Sequence, residues 1–268
     1  MKNTRVITLA NHKGGCGKTA TVINLAAEFA RKGLSVLVVD LDPQFNASYH
    51  LGKEHPTDMK LSISDLLLKR DADFMDVIQL ETNIEGVSLL PASISLTDDE
   101  ELIKKMFPSN PVGALSSVLK PGIGVFDVIL IDTPPRLGFL TANALAAATD
   151  FIIPMVSGSQ YNLNGMVDLL KDVTETTGEI NADLNFLGVL LVKHDHRTKI
   201  CRTMKEIAEA TTDKLIPIDI PSSTKTQQAE AFKTSVGDID PTSRIAIAFK
   251  ELAEWVANEI KLDVKKGS

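Results

Sequence analysis

The stretch RVITLANHKGGCGKTATVINL occupies residues 5–25 and decides the fold. Its first six residues are mostly apolar or β-branched, which is typical of a buried strand. A glycine-rich loop follows, and the pattern of residues 18–33 predicts a helix that ends at Gly33. A strand, a glycine-rich loop and a helix in this order are typical of a phosphate-binding loop.

The loop itself reads KGGCGKT over residues 13–19. The usual pattern, G-x-x-x-x-G-K-[ST], has a glycine where this chain has His12. We expect Lys18 to reach the β- and γ-phosphates of a nucleotide and the Thr19 hydroxyl to bind Mg²⁺. The predicted nucleotide-binding residues of the loop are Lys13, Gly14, Gly15, Cys16, Gly17, Lys18, Thr19 and Ala20.

The rest of the chain alternates between short apolar runs and helical patterns. The apolar runs predict further strands at 35–42, 126–135, 150–156, 185–192 and 214–221. Helices are predicted at 137–149, 162–177, 199–212 and 243–260, whereas residues 45–125 show no clear pattern. The alternation predicts an α/β fold with a doubly wound, mostly parallel sheet flanked by helices, in a single domain over 1–268.

Composition narrows the class of protein further. The chain has 268 residues, 44% of them hydrophobic, and a net charge of −7. No apolar run is long enough to span a membrane and no signal peptide precedes the first strand, so we expect a cytoplasmic protein. Two cysteines do not make a disulfide framework or a metal site. His194 and His196 flank Asp195, but no further histidine or cysteine lies nearby in sequence, which favours an ordinary loop.

Three aspartates stand where the predicted strands end. Asp40 and Asp42 are two residues apart, so an extended backbone would place both carboxylates on the same side. Asp132 follows four apolar residues, a poor position for a mere surface charge. The carboxyl ends of parallel strands border a ligand crevice. The alternative for Asp40 and Asp132 is that each caps the following helix.

Taken together, these motifs resemble the ParA/MinD-type ATPases with a deviant Walker A box, most closely the short, Soj-like ParA proteins. The box is KGGCGKT, and the segments at 36–48 (VLVVDLDPQFNAS) and 126–145 (FDVILIDTPPRLGFLTANAL) resemble two further family motifs. Two looser matches lie at 190–200 and 238–256. The chain begins too close to the loop to hold the N-terminal helix-turn-helix domain of the larger ParA proteins, so we expect none.

The resemblance implies a role for the second lysine of the loop. In this family two subunits enclose two ATP molecules, so Lys18 would act on the ATP of its own chain and Lys13 on that of the partner. Asp42 would position or activate the attacking water, and Pro221 would contact adenine. The implied Mg²⁺ site, formed partly through water, consists of Thr19, Asp40, Asp42 and Asp132.

The resemblance also implies nonspecific DNA binding by the ATP dimer, nucleoid association, and slow hydrolysis that a ParB-like centromere-binding or cargo adaptor protein stimulates. Residues 186–233 carry eight lysines and arginines against six acidic residues, although the chain as a whole is acidic. Phosphate contacts from such a patch need no base specificity. The expected DNA contacts are Arg197, Lys199, Arg202 and Lys225, with Lys193 a further candidate. Ser222 stands where the family often has an arginine.

Other functions within the same family remain open from sequence. A ParA-like ATPase can position a protein cargo over the nucleoid instead of DNA. A MinD-like membrane ATPase needs an amphipathic C-terminal helix, and the ending KLDVKKGS offers only Leu262 and Val264 as bulky apolar residues. An iron–sulfur reductase of this fold would need paired cysteines, which the chain lacks.

Overall fold

The computed structural model describes residues 3–69, 71–158 and 180–262. Its strands are β1 (Arg5–Leu9), β2 (Val36–Asp40), β3 (Val87–Leu90), β4 (Val128–Asp132), β5 (Asp150–Val156), β6 (Asn185–His194) and β7 (Ile220–Pro221). Its α-helices are α1 (Lys18–Arg31), α2 (Asn46–Leu51), α3 (Ile63–Leu68), α4 (Phe74–Val77), α5 (Leu96–Met106), α6 (Ala114–Leu119), α7 (Phe139–Ala147), α8 (Lys199–Thr211), α9 (Lys225–Ala231), α10 (Val236–Ile239) and α11 (Arg244–Glu259). Within these described ranges, single-turn 3₁₀ helices lie at Pro56–Asp58, Pro111–Gly113 and Lys120–Gly122.

The strands form one seven-stranded sheet in the order β3-β2-β4-β1-β5-β6-β7. Every neighbouring pair is parallel, which confirms the predicted sheet. Strand β1 is the middle strand, and β2, β4 and β5 lie close on either side of it. The loop after β1 therefore opens at the centre of the sheet's carboxyl edge, where α/β sheets bind ligands.

Each face of the sheet carries its own hydrophobic core, because successive side chains of a strand point to opposite faces. In β2, Val36 and Val38 belong to one core, whereas Leu37 and Val39 belong to the other. Helices α1 and α11 cover the first face, and α3, α5, α6 and α7 cover the second. Burial on both faces explains why the strands are continuous apolar runs.

The predicted strand at 214–221 is largely wrong. Only Ile220 and Pro221 form a strand there, and Leu215 makes a single isolated bridge to Val189. Pro217 lacks an N–H group and so interrupts the ladder. Conversely, the sequence does not predict β3. Its four residues are too few to show a strand period within a long region that has no clear pattern.

The predicted helices agree with the structure to within two or three residues at each end, apart from 162–177, which lies outside the described residues. Helix α1 ends as expected, with Gly33 at φ 77° and the Leu34 N–H donating to the Phe29 carbonyl. In the described part of the unpatterned region 45–125, five α-helices of four to eleven residues surround β3. No helix in the described part of the chain is long and apolar enough to cross a bilayer.

Candidate functional site

The glycine-rich loop bends back over the end of β1 and leads directly into α1. Gly15 and Gly17 have φ angles of 70° and 83°, which only glycine adopts without strain. Gly17 is the N-terminal cap of α1, and no side chain caps this end. The first N–H groups of the helix therefore point into the loop, where they favour an anion.

A buried asparagine fixes the start of the loop. Asn11 is 3% exposed, and its Nδ2 donates to the Pro154 carbonyl in β5 at 2.7 Å. Its Oδ1 accepts the Lys13 N–H at 2.9 Å. The asparagine thus joins the loop to a neighbouring strand and sets the direction of the chain at Lys13.

Lys18 is buried inside the curve of the loop, with 6% of its surface exposed. Its Nζ donates to the carbonyls of Asn11 at 3.2 Å and Lys13 at 3.4 Å. The Cys16 sulfur lies 3.9 Å from Nζ. Burial raises the pKa of the Cys16 thiol, although the nearby ammonium opposes this shift, so Cys16 is a neutral filler at pH 7.

Thr19 and Asp132 meet at the end of the central strands. The Thr19 hydroxyl donates to Asp132 Oδ2 at 2.6 Å, and Asp132 itself is fully buried. Its second oxygen, Oδ1, has no hydrogen-bond partner among the described residues. Burial and the neighbouring charge of Asp40 hold the pKa of Asp132 well above its usual range. An orphaned carboxylate oxygen beside a threonine hydroxyl fits a hard divalent cation, which would favour the ionised form.

Asp40 also lies at this edge, directly opposite Asp132 in the register of β2 and β4. Its Oδ2 accepts from the Ser48 N–H and hydroxyl, both at 2.7 Å, and its Oδ1 accepts the Asp42 N–H at 3.1 Å. Both oxygens are therefore occupied by the chain's own donors. Burial raises the pKa of Asp40 to about 6. The geometry is that of a group that orients Asp42 and the start of α2.

Asp42 follows β2 and is 7% exposed. Its Oδ1 accepts the Gln44 N–H at 3.0 Å, which fixes the carboxylate at the turn into α2. Burial raises the pKa of Asp42, whereas the charges of Lys18 and Arg136 oppose that shift. Asp40 and Asp42, although close in sequence, lie in different environments. Asp40 is fully buried, whereas Asp42 borders open space.

A cavity of about 570 Å³ lies in front of the loop, within the range of small-molecule sites. Its lining includes the predicted residues Gly14, Gly15, Cys16, Gly17, Lys18, Thr19, Ala20 and Asp42. Lys13 is outside this lining. Residues that the sequence did not indicate also line it: Asn46, Tyr49 and His50 from α2, and Thr226, Ala229 and Glu230 from α9. The three residues of each helix are spaced i, i+3, i+4, so the helix places them on one face. This spacing is the one signal in the sequence that could have indicated them.

Two predicted residues lie elsewhere than expected. Pro221 is outside the lining of this cavity and borders a separate cleft with His194 and Arg197. Lys193, considered as a DNA contact, instead lines the cavity, and its Nζ donates to the Gly15 carbonyl at 3.1 Å.

The four expected DNA contacts are spread over the loop after β6 and the starts of α8 and α9. Arg197 is exposed, and its guanidinium donates twice to Asp195 at 2.9 Å, which holds the pKa of Asp195 well below its usual range. Lys199 and Arg202 are exposed and form no ion pair with another residue that the structure describes. Lys225 lies 3.4 Å from an Asp240 oxygen.

The chain is similar to known proteins for which a nucleotide-binding loop is expected. An AAA domain family matches residues 4–186. The sporulation initiation inhibitor protein Soj of Bacillus subtilis is 36% identical, over 94% of this chain and 98% of that protein. The chromosome-partitioning ATPase Soj of Thermus thermophilus is 34% identical, over 96% and 97%.

Among solved structures, cobyrinic acid a,c-diamide synthase from Mycobacterium smegmatis, with a bound ATP analogue and magnesium, superposes with a TM-score of 0.81. It is 32% identical and the match covers 96% of each chain.

Proposed function

The chain belongs to the ParA/MinD-type P-loop ATPases of the AAA domain family, and we propose that it is a DNA partition ATPase. It binds Mg-ATP in the loop cavity, dimerises around it, binds DNA of any sequence as the dimer, and is released when a partner protein stimulates hydrolysis. The observation that carries the proposal is the meeting of Lys18, Thr19, Asp132 and Asp42 around one loop. The similarity to chromosome-partitioning relatives supports the assignment to partition.

The loop binds the phosphates of ATP. Its N–H groups and the start of α1 favour negative charge, and the Lys18 ammonium needs to shift only from the Asn11 and Lys13 carbonyls to phosphate oxygens. Because phosphate oxygens are charged and the carbonyls are not, the ammonium gains by the exchange.

Thr19 and Asp132 would hold a magnesium ion, Thr19 through its hydroxyl and Asp132 through the carboxylate that now accepts the Thr19 hydrogen bond. When bound, Mg²⁺ neutralises charge on the β- and γ-phosphates. Asp42 borders the cavity and orients or deprotonates the attacking water, and burial raises its pKa toward the range useful for a general base. Asp40 holds Asp42 through the Asp42 N–H.

Lys13 acts on the ATP of the partner subunit. Lys13 lies outside the lining of its own cavity, which supports this role. A cation that reaches the γ-phosphate from a second chain stabilises charge in phosphoryl transfer and makes dimerisation depend on ATP.

The DNA-binding surface is formed by Arg197, Lys199, Arg202 and Lys225. Lys199 and Arg202 are exposed at the start of α8, and Arg197 needs only to exchange Asp195 for a phosphate. The sites therefore suit phosphate contacts, which position a protein on DNA without reading its sequence. Such a protein works in the cytoplasm, on the nucleoid.

The test is binding to random-sequence duplex DNA without nucleotide, with ADP and with ATP, using Asp42→Ala to retain ATP. We expect binding with ATP alone, a steep loss of affinity as salt rises, and a shallower salt slope in Arg197→Ala. Lys69→Ala is the matched control, because Lys69 is also exposed and also pairs locally, with Asp65, but lies directly after α3. Equal DNA binding in all nucleotide states, or no DNA binding in any of them, would overturn the DNA-binding proposal. The proposal that the loop binds ATP would be unaffected.

A further inference from the structure

Two histidines and an aspartate that are separate in sequence meet beyond the loop cavity. His194 ends β6, His196 follows two residues later, and Asp219 directly precedes β7. The parallel register pairs His194 with Pro221 and so brings Asp219 beside the histidines. One potential ligand atom from each residue lies within 4.8 Å of the other two. The two imidazole rings are 4.4 Å apart between centroids.

The buried members of this cluster have unused polar atoms. The side chains of His194 and Asp219 are 1% and 6% exposed. In the described part of the chain, neither His194 Nε2 nor Asp219 Oδ1 has a hydrogen-bond partner. Buried polar atoms are nearly always paired, so two orphaned atoms of ligand type side by side require an explanation. An ordinary His–Asp hydrogen bond does not provide one, because Nε2 lies 4.0 Å from Asp219 Oδ2.

The surrounding contacts leave these two atoms available. Ser157 Oγ lies 2.8 Å from His194 Nδ1, a hydrogen bond that fixes the ring and turns Nε2 toward Asp219. Lys205 donates to Asp219 Oδ2 at 2.7 Å, which leaves Oδ1 free. Ligating histidines and carboxylates are commonly oriented by such outer contacts.

We propose that His194, His196 and Asp219 bind a divalent transition-metal ion, with Zn²⁺ the best match. Two imidazoles and a carboxylate are a zinc ligand set, with a fourth position left for water or a further ligand. Bonds of about 2.0–2.1 Å require the ligand atoms to approach to about 3.4 Å. His196 is exposed on the loop, so its side chain can make this adjustment.

The site is separate from the loop cavity and does not depend on the proposed function. Its two histidines line a cleft of about 440 Å³, together with Pro221 and Ser222, and this cleft gives an ion a path of entry. A metal there joins the loop after β6 to the residue before β7. It also places positive charge within a few residues of Arg197.

The experiment titrates the chelator-stripped full-length protein with Co²⁺ alone, followed by competition with Zn²⁺, in excess Mg²⁺ to occupy hard-cation sites. We expect one equivalent of Co²⁺ with the visible absorption of a tetrahedral site, displacement by Zn²⁺, and a higher Tm with Zn²⁺. His196→Ala should weaken binding about tenfold or more.

Two further variants make the result decisive. Asp219→Asn should also weaken Co²⁺ binding, whereas His55→Ala, which removes an exposed histidine far from the cluster in sequence, should leave the titration unchanged. Because His196 is exposed, His196→Ala is expected to fold. The absence of the absorption band in the unmodified protein, or an identical titration in His196→Ala, would overturn the proposal.

Discussion

The loop after β1 and the loop after β6 both leave the carboxyl edge of the sheet and lead into a helix, yet they hold their cations in opposite ways. Lys18 is 6% exposed and donates to main-chain carbonyls. The Arg197 side chain is 89% exposed and pairs with an aspartate two residues away. The first cation is held by the folded loop, and the second only by its sequence neighbour.

The difference shows which positions the whole fold determines. The first loop is fixed by contacts between residues far apart in sequence, from Asn11 to Pro154 and from Thr19 to Asp132. The second loop keeps its cation through a local pair that solvent screens. We therefore expect substitutions in the first loop to have large effects and substitutions in the second to change affinity for DNA more than stability.

The largest effect should come from Lys18→Ala. Loss of charge-assisted hydrogen bonds to phosphate should weaken ATP binding about 1,000-fold, or about 4 kcal/mol. Isothermal titration with ATP in the presence of Mg²⁺ measures this change. Lys13→Ala is the matched control and should retain ATP binding while losing stimulated hydrolysis. Normal hydrolysis in Lys13→Ala would contradict its role on the partner's ATP.

Asp40, which lies at the same edge of the sheet, should make the stability of the protein depend on pH. Its pKa is about 6 in the folded protein and about 3.8 in the unfolded chain, so the folded state binds more protons between these values. The contribution of Asp40 to the free energy of unfolding is largest below about pH 4. It falls by about 3 kcal/mol as the pH rises through 6. Urea unfolding across this range should show the decline in the unmodified protein relative to Asp40→Asn. Parallel curves for the two proteins would contradict it.

Asn11→Ala should destabilise the protein by about 2 kcal/mol. It removes one buried and one partly buried hydrogen bond and leaves the Pro154 carbonyl and the Lys13 N–H without the Asn11 side chain as a partner. Urea unfolding measures the change, with Asn258→Ala on the exposed face of α11 as the control. An effect as small as that of the control would mean that the loop does not depend on β5.

The smallest effect on stability should be that of Arg197→Ala. An exposed ion pair contributes little to stability, so the free energy of unfolding should stay close to that of the unmodified protein. Thermal or urea unfolding measures it beside the DNA titration. A larger loss of stability would show that the second loop is as tightly integrated as the first and would remove the contrast between them.

Sequence patterns predict the part of the fold in which burial is continuous. Strands β1, β2, β4, β5 and β6 are buried on both faces, so each is an apolar run that can be recognised in the sequence. The loop is equally recognisable, because its glycines and lysines follow directly from binding a phosphate. Four of the helices between β2 and β4 were not predicted because they have only four to six residues, too few turns to show a period. The fifth, α5, has eleven residues and was missed as well.

The rest of the site depends on tertiary contacts that no local pattern encodes. Tyr49 and Glu230 reach the cavity only because α2 and α9 pack at its two sides. Asp219 reaches the histidines only through the pairing of β6 with β7, so the sequence favoured an ordinary loop at His194. Whether Pro221 contacts a base stays a prediction.

The long-range contacts of the loop also have a consequence for synthesis of the chain. The loop leaves the ribosome before the residues that hold it: its carboxylate partner follows 113 residues later and its strand anchor 143 residues later. At about 5–20 residues per second, roughly 7–30 s pass between synthesis of Asn11 and synthesis of Pro154. The nascent chain therefore exposes an unfinished loop during this time. A nucleotide can stabilise the fold only after Asp132 and Pro154 have been synthesised.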